Sequence, residues 1–152
     1  MDKGVVIKST GSWYSVRLEN GDLVEARIKG KFRIQGIKTT NPVAVGDIVH
    51  LSLEEDGTAV IAEIEDRKNY IIRKSVNLSK RSHIIASNVD QAILIVTLSQ
   101  PKTYTAFIDR FLVTAEAYHI PTVIVFNKID LHTKVELEEL NYLKEVYSKI
   151  GY

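Results

Sequence analysis

Residues Thr122 to Phe126 form an unbroken apolar run of strand type that ends abruptly in Asn127-Lys128-Ile129-Asp130. A run without polar alternation suits a parallel strand covered on both faces, and such strands need helices beside them. The flanking pattern agrees. Gln91 to Leu98 is a second, nearly continuous apolar run. Between the two, Phe107, Phe111, Leu112 and Ala115 fall at helical spacing, with Asp109, Arg110 and Glu116 outside that stripe. This predicts a helix from about Thr105 to Tyr118, ended by Ile120-Pro121, and one right-handed strand–helix–strand unit. Thr133 and Glu136 then stand at capping-box spacing. A second helix is expected to run to about Ile150, burying Val135, Leu140, Leu143 and Tyr147, with Gly151 as its stop.

Open α/β sheets bind ligands at the carboxyl ends of their strands. Asn-Lys-x-Asp at that point is the guanine-reading motif of GTP-binding proteins, and its residue types suit the task. Asp130 can accept two hydrogen bonds, from the ring N–H and the exocyclic amine of guanine. Adenine offers an acceptor and no amine there, which leaves the carboxylate unpaired at a high cost. Asn127 can bond the outer edge of the base, and the stem of Lys128 can pack over its plane. Three fixed residues arise by chance in a chain of this length at about 2%, taking ~5% for each type. A strand followed by an Asn-capped polar turn is the alternative, so the rest of the chain must decide.

Residues 4–64 follow a different period. Ser12 to Glu19 alternates, with Tyr14, Val16 and Leu18 on one face, and Asn20-Gly21 marks a hairpin turn into Asp22 to Lys29. Asp47–Leu53 and Thr58–Ile64 make a second hairpin. With Gly4–Ser9, these five short strands fit a small closed barrel, an OB-fold or else an SH3-like barrel. Gly30 to Gly46 is too long for a hairpin loop. No acid occurs between Ala26 and Gly46, while Arg27, Lys29, Lys31, Arg33 and Lys38 cluster there with Phe32 among them. That composition suits phosphate tracking with an aromatic for base stacking, the makings of an RNA surface. Residues 1–66 carry 8 Lys/Arg against 11 Asp/Glu, so the segregation of charge is more telling than its total.

Residues 67–88 hold six Lys/Arg and no acid, with recurring Ser and Asn and no helical period. They read as an ordered, partly extended, basic linker that could widen a nucleic-acid footprint. The implied domains are therefore 1–66, a linker 67–88, and 89–152. A formal net charge of +1 over 152 residues selects no partner. The absence of cysteine excludes disulfides and thiolate metal sites, and His50, His83, His119 and His132 lack ligand spacing. The short apolar run after Met1 is not a signal peptide, and no apolar run approaches a membrane span, so a cytoplasmic protein is expected.

Together these parts resemble one family, the ribosome small subunit-dependent GTPase A family of circularly permuted GTPases. The resemblance is carried by Arg27-Ile-Lys-Gly-Lys-Phe-Arg33, Asn41-Pro-Val-Ala-Val-Gly-Asp47, Arg67-Lys-Asn-Tyr-Ile-Ile-Arg-Lys-Ser75, Asn77-Leu-Ser79, Asn88-Val-Asp-Gln91, Ile108-Asp-Arg110 and Asn127-Lys-Ile-Asp-Leu131. It implies an N-terminal five-stranded OB-fold, then the βαβα start of a permuted P-loop GTPase domain, with a zinc-binding domain following in the family. It implies GTP hydrolysis in late maturation of the small (30S) ribosomal subunit, contact of the barrel with 16S rRNA, and GTP or GDP with magnesium as cofactor. Asn127, Lys128 and Asp130 carry over as guanine-binding residues.

The departure from the family is large. A Gly-x-x-x-x-Gly-Lys-Ser/Thr loop, which would cradle phosphates and order magnesium, occurs nowhere in the 152 residues. The expectation is an N-terminal portion that reads guanine but does not hydrolyse GTP alone, with no catalytic residue, no metal site and no bound cofactor of its own. Two parallel strands alone would expose edges and invite self-association. The competing reading is a stand-alone RNA-binding barrel with a non-catalytic α/β tail. A dinucleotide-binding dehydrogenase half is disfavoured, since Ser99-Gln-Pro-Lys102, not a Gly-x-Gly-x-x-Gly turn, follows the first strand.

Overall fold

The computed structural model describes residues 1–28, 42–74 and 82–152, the side chains of Lys74 and Ser82 excepted. It divides into two compact units, Met1–Val89 and Asp90–Tyr152.

In the first unit, β1 (Asp2–Ser9), β2 (Trp13–Leu18), β3 (Leu23–Ile28), β4 (Ile48–Leu53) and β5 (Ala59–Ile64) close a barrel in the order β1-β2-β3-β5-β4. All pairings are antiparallel except β3 with β5, which is parallel. That closure is the OB-like arrangement. The Asn20-Gly21 turn forms as expected: Gly21 has φ +92, and Asn20 Oδ1 accepts from the Asp22 amide at 3.0 Å. The alternating strand residues fill the core, where Tyr14 and Val16 pack with Val6, Ala26, Val43, Val49, Leu51, Ala59 and Ile61. At Gly4 a Cβ would lie 2.6 Å from Val16 Cγ1 and 2.7 Å from the Arg17 carbonyl oxygen, so only glycine lets β1 lie this close to β2.

Residues 67–88, expected as a partly extended linker, contain an antiparallel ladder of β6 (Tyr70–Lys74) and β7 (Ser82–Ser87). The ladder belongs to the barrel's unit and touches it through a parallel bridge between Val45 and Ala86. At the root of the ladder lies a buried polar knot. Asp47 is fully buried; its Oδ1 accepts from Arg67 Nε at 2.6 Å and from Ser87 Oγ at 2.5 Å. Its Oδ2 accepts from Arg67 Nη2 at 2.6 Å and from the Ala44 amide at 2.8 Å. Arg67 Nη2 also donates to the Pro42 carbonyl at 3.1 Å, and Asn88 Nδ2 to the Gly46 carbonyl at 2.9 Å. Gly46 has φ +92, and a Cβ there would stand 2.0 Å from the Ser87 carbonyl oxygen.

In the second unit, β8 (Ala92–Val96) and β9 (Thr122–Phe126) pair in parallel, Val96 opposite Phe126. Helices α1 (Thr105–Ala117) and α2 (Lys134–Lys149) cover one face, where Leu94, Val96, Leu98, Ile108, Leu112, Leu143 and Tyr147 form the core. The expected capping box is present: Thr133 Oγ1 accepts from the Glu136 amide, and Glu136 Oε2 accepts from the Thr133 amide at 2.6 Å. The opposite sheet face, expected to be covered, exposes Ile93 (61%), Ile95 (63%), Val123 (43%) and Val125 (39%). Two helix residues expected on buried stripes, Phe107 and Val135, are also exposed. The helices meet the sheet through Ile108–Leu112–Ala115 and Leu143–Tyr147, and one covered face leaves the outer positions nothing to pack on.

Candidate guanine-reading site

The carboxyl end of β9 builds the site. The Asn127 amide donates to the Val96 carbonyl at 2.8 Å, which carries the ladder one residue past the strand. The chain then turns sharply. Lys128 is left-handed, with φ +61 and ψ +33, a conformation that costs a lysine about 1 kcal/mol or more. Asn127 Oδ1 accepts from the Lys128 amide at 2.9 Å and supports that turn. Ile129–Leu131 follow as one 3-10 turn, closed by the Leu131 amide on the Lys128 carbonyl at 3.0 Å. Asp130 is exposed, its carboxylate open to solvent. All three motif residues thus sit in one tight loop at the strand end, as the spacing predicts.

The loop after β8 forms the neighbouring wall, which sequence reading did not single out. The Thr103 amide donates to the Thr97 carbonyl at 2.7 Å, and Thr97 Oγ1 donates to the Pro101 carbonyl at 2.5 Å. At its apex the Gln100 carbonyl accepts from Lys128 Nζ at 2.5 Å. On the helix side, the Thr133 amide, the Thr133 hydroxyl and the Ser99 hydroxyl hold the Glu136 carboxyl below its ordinary range. Lys102 Nζ lies 3.3 Å from Glu139 Oε1.

Of the RNA-surface residues expected on the barrel, only Arg27 falls among the described ones. It lies opposite Trp13 on the outer face and is paired with Glu54 at 3.1 Å. Lys29, Lys31, Phe32, Arg33 and Lys38 lie outside the described residues. One of the six basic residues counted in 67–88 is spent internally: the Arg67 side chain is 6% exposed and neutralises Asp47, so it does not face a phosphate. Nothing in the local sequence signals this pairing, because its partners stand 20 residues apart. No group of three His, Cys, Asp or Glu among the described residues could hold a metal ion. No helix among them is long and apolar enough to cross a membrane.

Comparison with known proteins bears directly on this site. The model of the RsgA N-terminal domain matches residues 3–61, and the model of the RsgA GTPase matches residues 64–152. The chain belongs to the RsgA GTPase family. A small ribosomal subunit biogenesis GTPase RsgA of Christiangramia forsetii is 62% identical over 153 residues, covering 99% of this chain and 49% of that protein. The same-named protein of Bacteroides fragilis (strain YCH46) is 60% identical over 150 residues, covering 99% and 48%. The chain therefore spans about half the length of the RsgA relatives it matches. Among solved structures, YjeQ from Thermotoga maritima superposes with a TM-score of 0.72 at 36% identity, covering 97% of this chain and 49% of that one. YloQ, described as a circularly permuted GTPase, gives 0.70 at 35% identity, with 100% and 50% coverage. These likenesses confirm the expected fold class, an OB-like barrel followed by the start of a circularly permuted GTPase domain.

Proposed function

We propose that this chain is the RNA-contacting and guanine-reading portion of a GTPase that acts in late maturation of the small (30S) ribosomal subunit. The observation that carries the reading is the Asn127–Asp130 loop, with a left-handed Lys128 behind a parallel strand and an open carboxylate at Asp130. Asp130 accepts the ring N–H and amine of guanine, Asn127 bonds the outer edge of the base, and the stem of Lys128 covers its plane. Residues 89–152 are the opening of the permuted GTPase domain. Residues 1–66 are the rRNA-binding barrel, through Arg27, Lys29, Lys31, Phe32, Arg33 and Lys38, and 67–88 adds basic charge from its ladder. The partner RNA is 16S rRNA.

GTP or GDP with magnesium is the ligand of the whole protein. The residues of this chain fit only the base, since no phosphate-cradling glycine-lysine loop is present in it. Nor does it hold a cysteine set for the family's zinc domain. Alone it does not hydrolyse GTP, and it binds nucleotides weakly, because most nucleotide contacts go to phosphates. The bare apolar face of β8–β9 and its open edges support self-association of the isolated chain. Light scattering behind size-exclusion chromatography tests this; a clean monomer with a cooperative, high-temperature melt removes it.

The guanine reading is tested by titrating the 15N-labelled chain with guanosine, adenosine and xanthosine. Guanosine should shift the Asn127–Asp130 amides where adenosine does not, and Asp130→Asn should move the preference to xanthosine. Equal response to guanosine and adenosine removes the assignment. A second reading, a stand-alone RNA-binding module with a non-catalytic α/β tail, is favoured by the barrel and ladder forming one compact unit with its own core. It predicts salt-dependent 30S binding without nucleotide, weakened and with a flatter salt slope when Lys29, Lys31 and Arg33 are neutralised.

A further inference from the structure

We infer that the turn after β8, Thr97–Thr103, is the positioning element of Lys128, and that Thr97 is the residue that sets it. The inference rests on the guanine reading above and adds to it a wall of the base site supplied from the neighbouring strand. Lys128 leaves the end of β9, and its ammonium ends on the carbonyl of Gln100, at the apex of the β8 turn. Because β8 and β9 are adjacent, with Val96 opposite Phe126, the four-carbon stem crosses the carboxyl ends of both strands. It lies as a floor where an open α/β sheet receives its ligand.

A lysine left free in solvent samples many rotamers and loses that freedom when a base settles on it, an entropic cost to binding. Tethering the ammonium removes part of that cost before the ligand arrives. The tether is useful only if the acceptor is fixed. Gln100 is itself left-handed, at φ +54, and its turn is closed from both sides: Thr97 Oγ1 on the Pro101 carbonyl, and the Thr97 amide on Thr103 Oγ1 at 3.2 Å. Thr97 is half-buried, and it is linked to Lys128 only through this chain of contacts. It is a positioning residue.

The test is a double-mutant cycle on the 152-residue chain, with guanosine as probe and 15N shifts as readout. Thr97→Val keeps the shape and removes the hydroxyl; Lys128→Met keeps the stem and removes the ammonium. Each is expected to weaken guanosine binding roughly three- to tenfold, the worth of about one hydrogen bond. Thr97→Val added to Lys128→Met should cause no further loss, and Thr97→Ser should restore the wild-type affinity. Additive losses, or wild-type affinity in Thr97→Val, overturn the positioning role. A ligand-free measurement separates this from failure of the guanine reading. The side-chain ammonium of Lys128 should exchange with water more slowly than that of the exposed Lys144, and lose that protection in Thr97→Val. If guanosine fails to bind but protection is lost in Thr97→Val, the guanine reading falls and the tether stands. If protection is unchanged in Thr97→Val, the inference falls.

Discussion

Replacing Arg67 by Met should cost the first unit a large share of its stability. Arg67 donates three hydrogen bonds, two of them to Asp47, from a side chain only 6% exposed against a carboxylate at 0%. Methionine fills much of the volume but leaves the Asp47 carboxyl in the core without its cation, held by only the Ser87 hydroxyl and the Ala44 amide. Removing one member of a buried pair costs about 3–5 kcal/mol, because the remaining charge is uncompensated. A domain of this size has about 5–15 kcal/mol in all. At about 4–8 °C per kcal/mol, the melting temperature should fall by roughly 12–40 °C. The assay is direct, since Trp13, the single tryptophan, lies on β2, and its fluorescence reports the barrel unit. The double variant Asp47→Asn/Arg67→Met, which buries no charge, should melt above Arg67→Met. A fall of less than about 3 °C in Arg67→Met, or a double variant no better than the single, refutes the reasoning.

Three further outcomes are expected. Gly46→Ala should unfold the first unit or displace β7, since its Cβ would meet the Ser87 carbonyl oxygen at 2.0 Å in a backbone at φ +92; loss of the β6–β7 cross-strand contacts in NMR spectra reads this out. Thr133→Ala removes the hydroxyl half of the α2 capping box and should destabilise the second unit by about 1 kcal/mol, measured by urea denaturation. Tyr147 is pushed up to about 12 by burial first, and then by the Asp109 carboxylate that its hydroxyl bonds at 2.9 Å. Its folded value lies above its ordinary value of 10.0, so its contribution is complete below pH 10 and lost as pH rises toward 12. Alkaline denaturation of Tyr147→Phe should show a shallower loss over that window than the parent chain.

Much of the architecture was legible because its signals are local. Tyr14, Val16 and the Asn20-Gly21 turn fix a strand face and a hairpin within eight residues, and Thr133 and Glu136 announce a helix start three residues apart. The Asn127–Asp130 loop is likewise contiguous. What stayed hidden depends on pairs distant in sequence. The β6–β7 ladder has no clear alternating pattern, because each strand carries two adjacent isoleucines, Ile71-Ile72 and Ile84-Ile85. Arg67 looked like surface charge. The Gln100 carbonyl that receives Lys128 carries no side-chain signature at all. Phe107 and Val135 misled because helical spacing shows which residues can share a face, not how much of that face the neighbouring sheet reaches.

The polar knot also sets an order in time. Asp47 and Ser87 are 40 residues apart, and Asn88 reaches back 42 residues to Gly46. During synthesis at about 5–20 residues per second, all five barrel strands and Arg67 emerge roughly 1–4 s before Ser87 and Asn88, which seal the Asp47–Arg67 pair. Through that interval the buried ion pair lacks its covering strand, so the nascent unit becomes protease-resistant only once Ser87 and Asn88 have left the exit tunnel. Stalled chains ending shortly before and after that point would differ sharply in resistance if the knot is the closing step, and would not if the barrel seals itself.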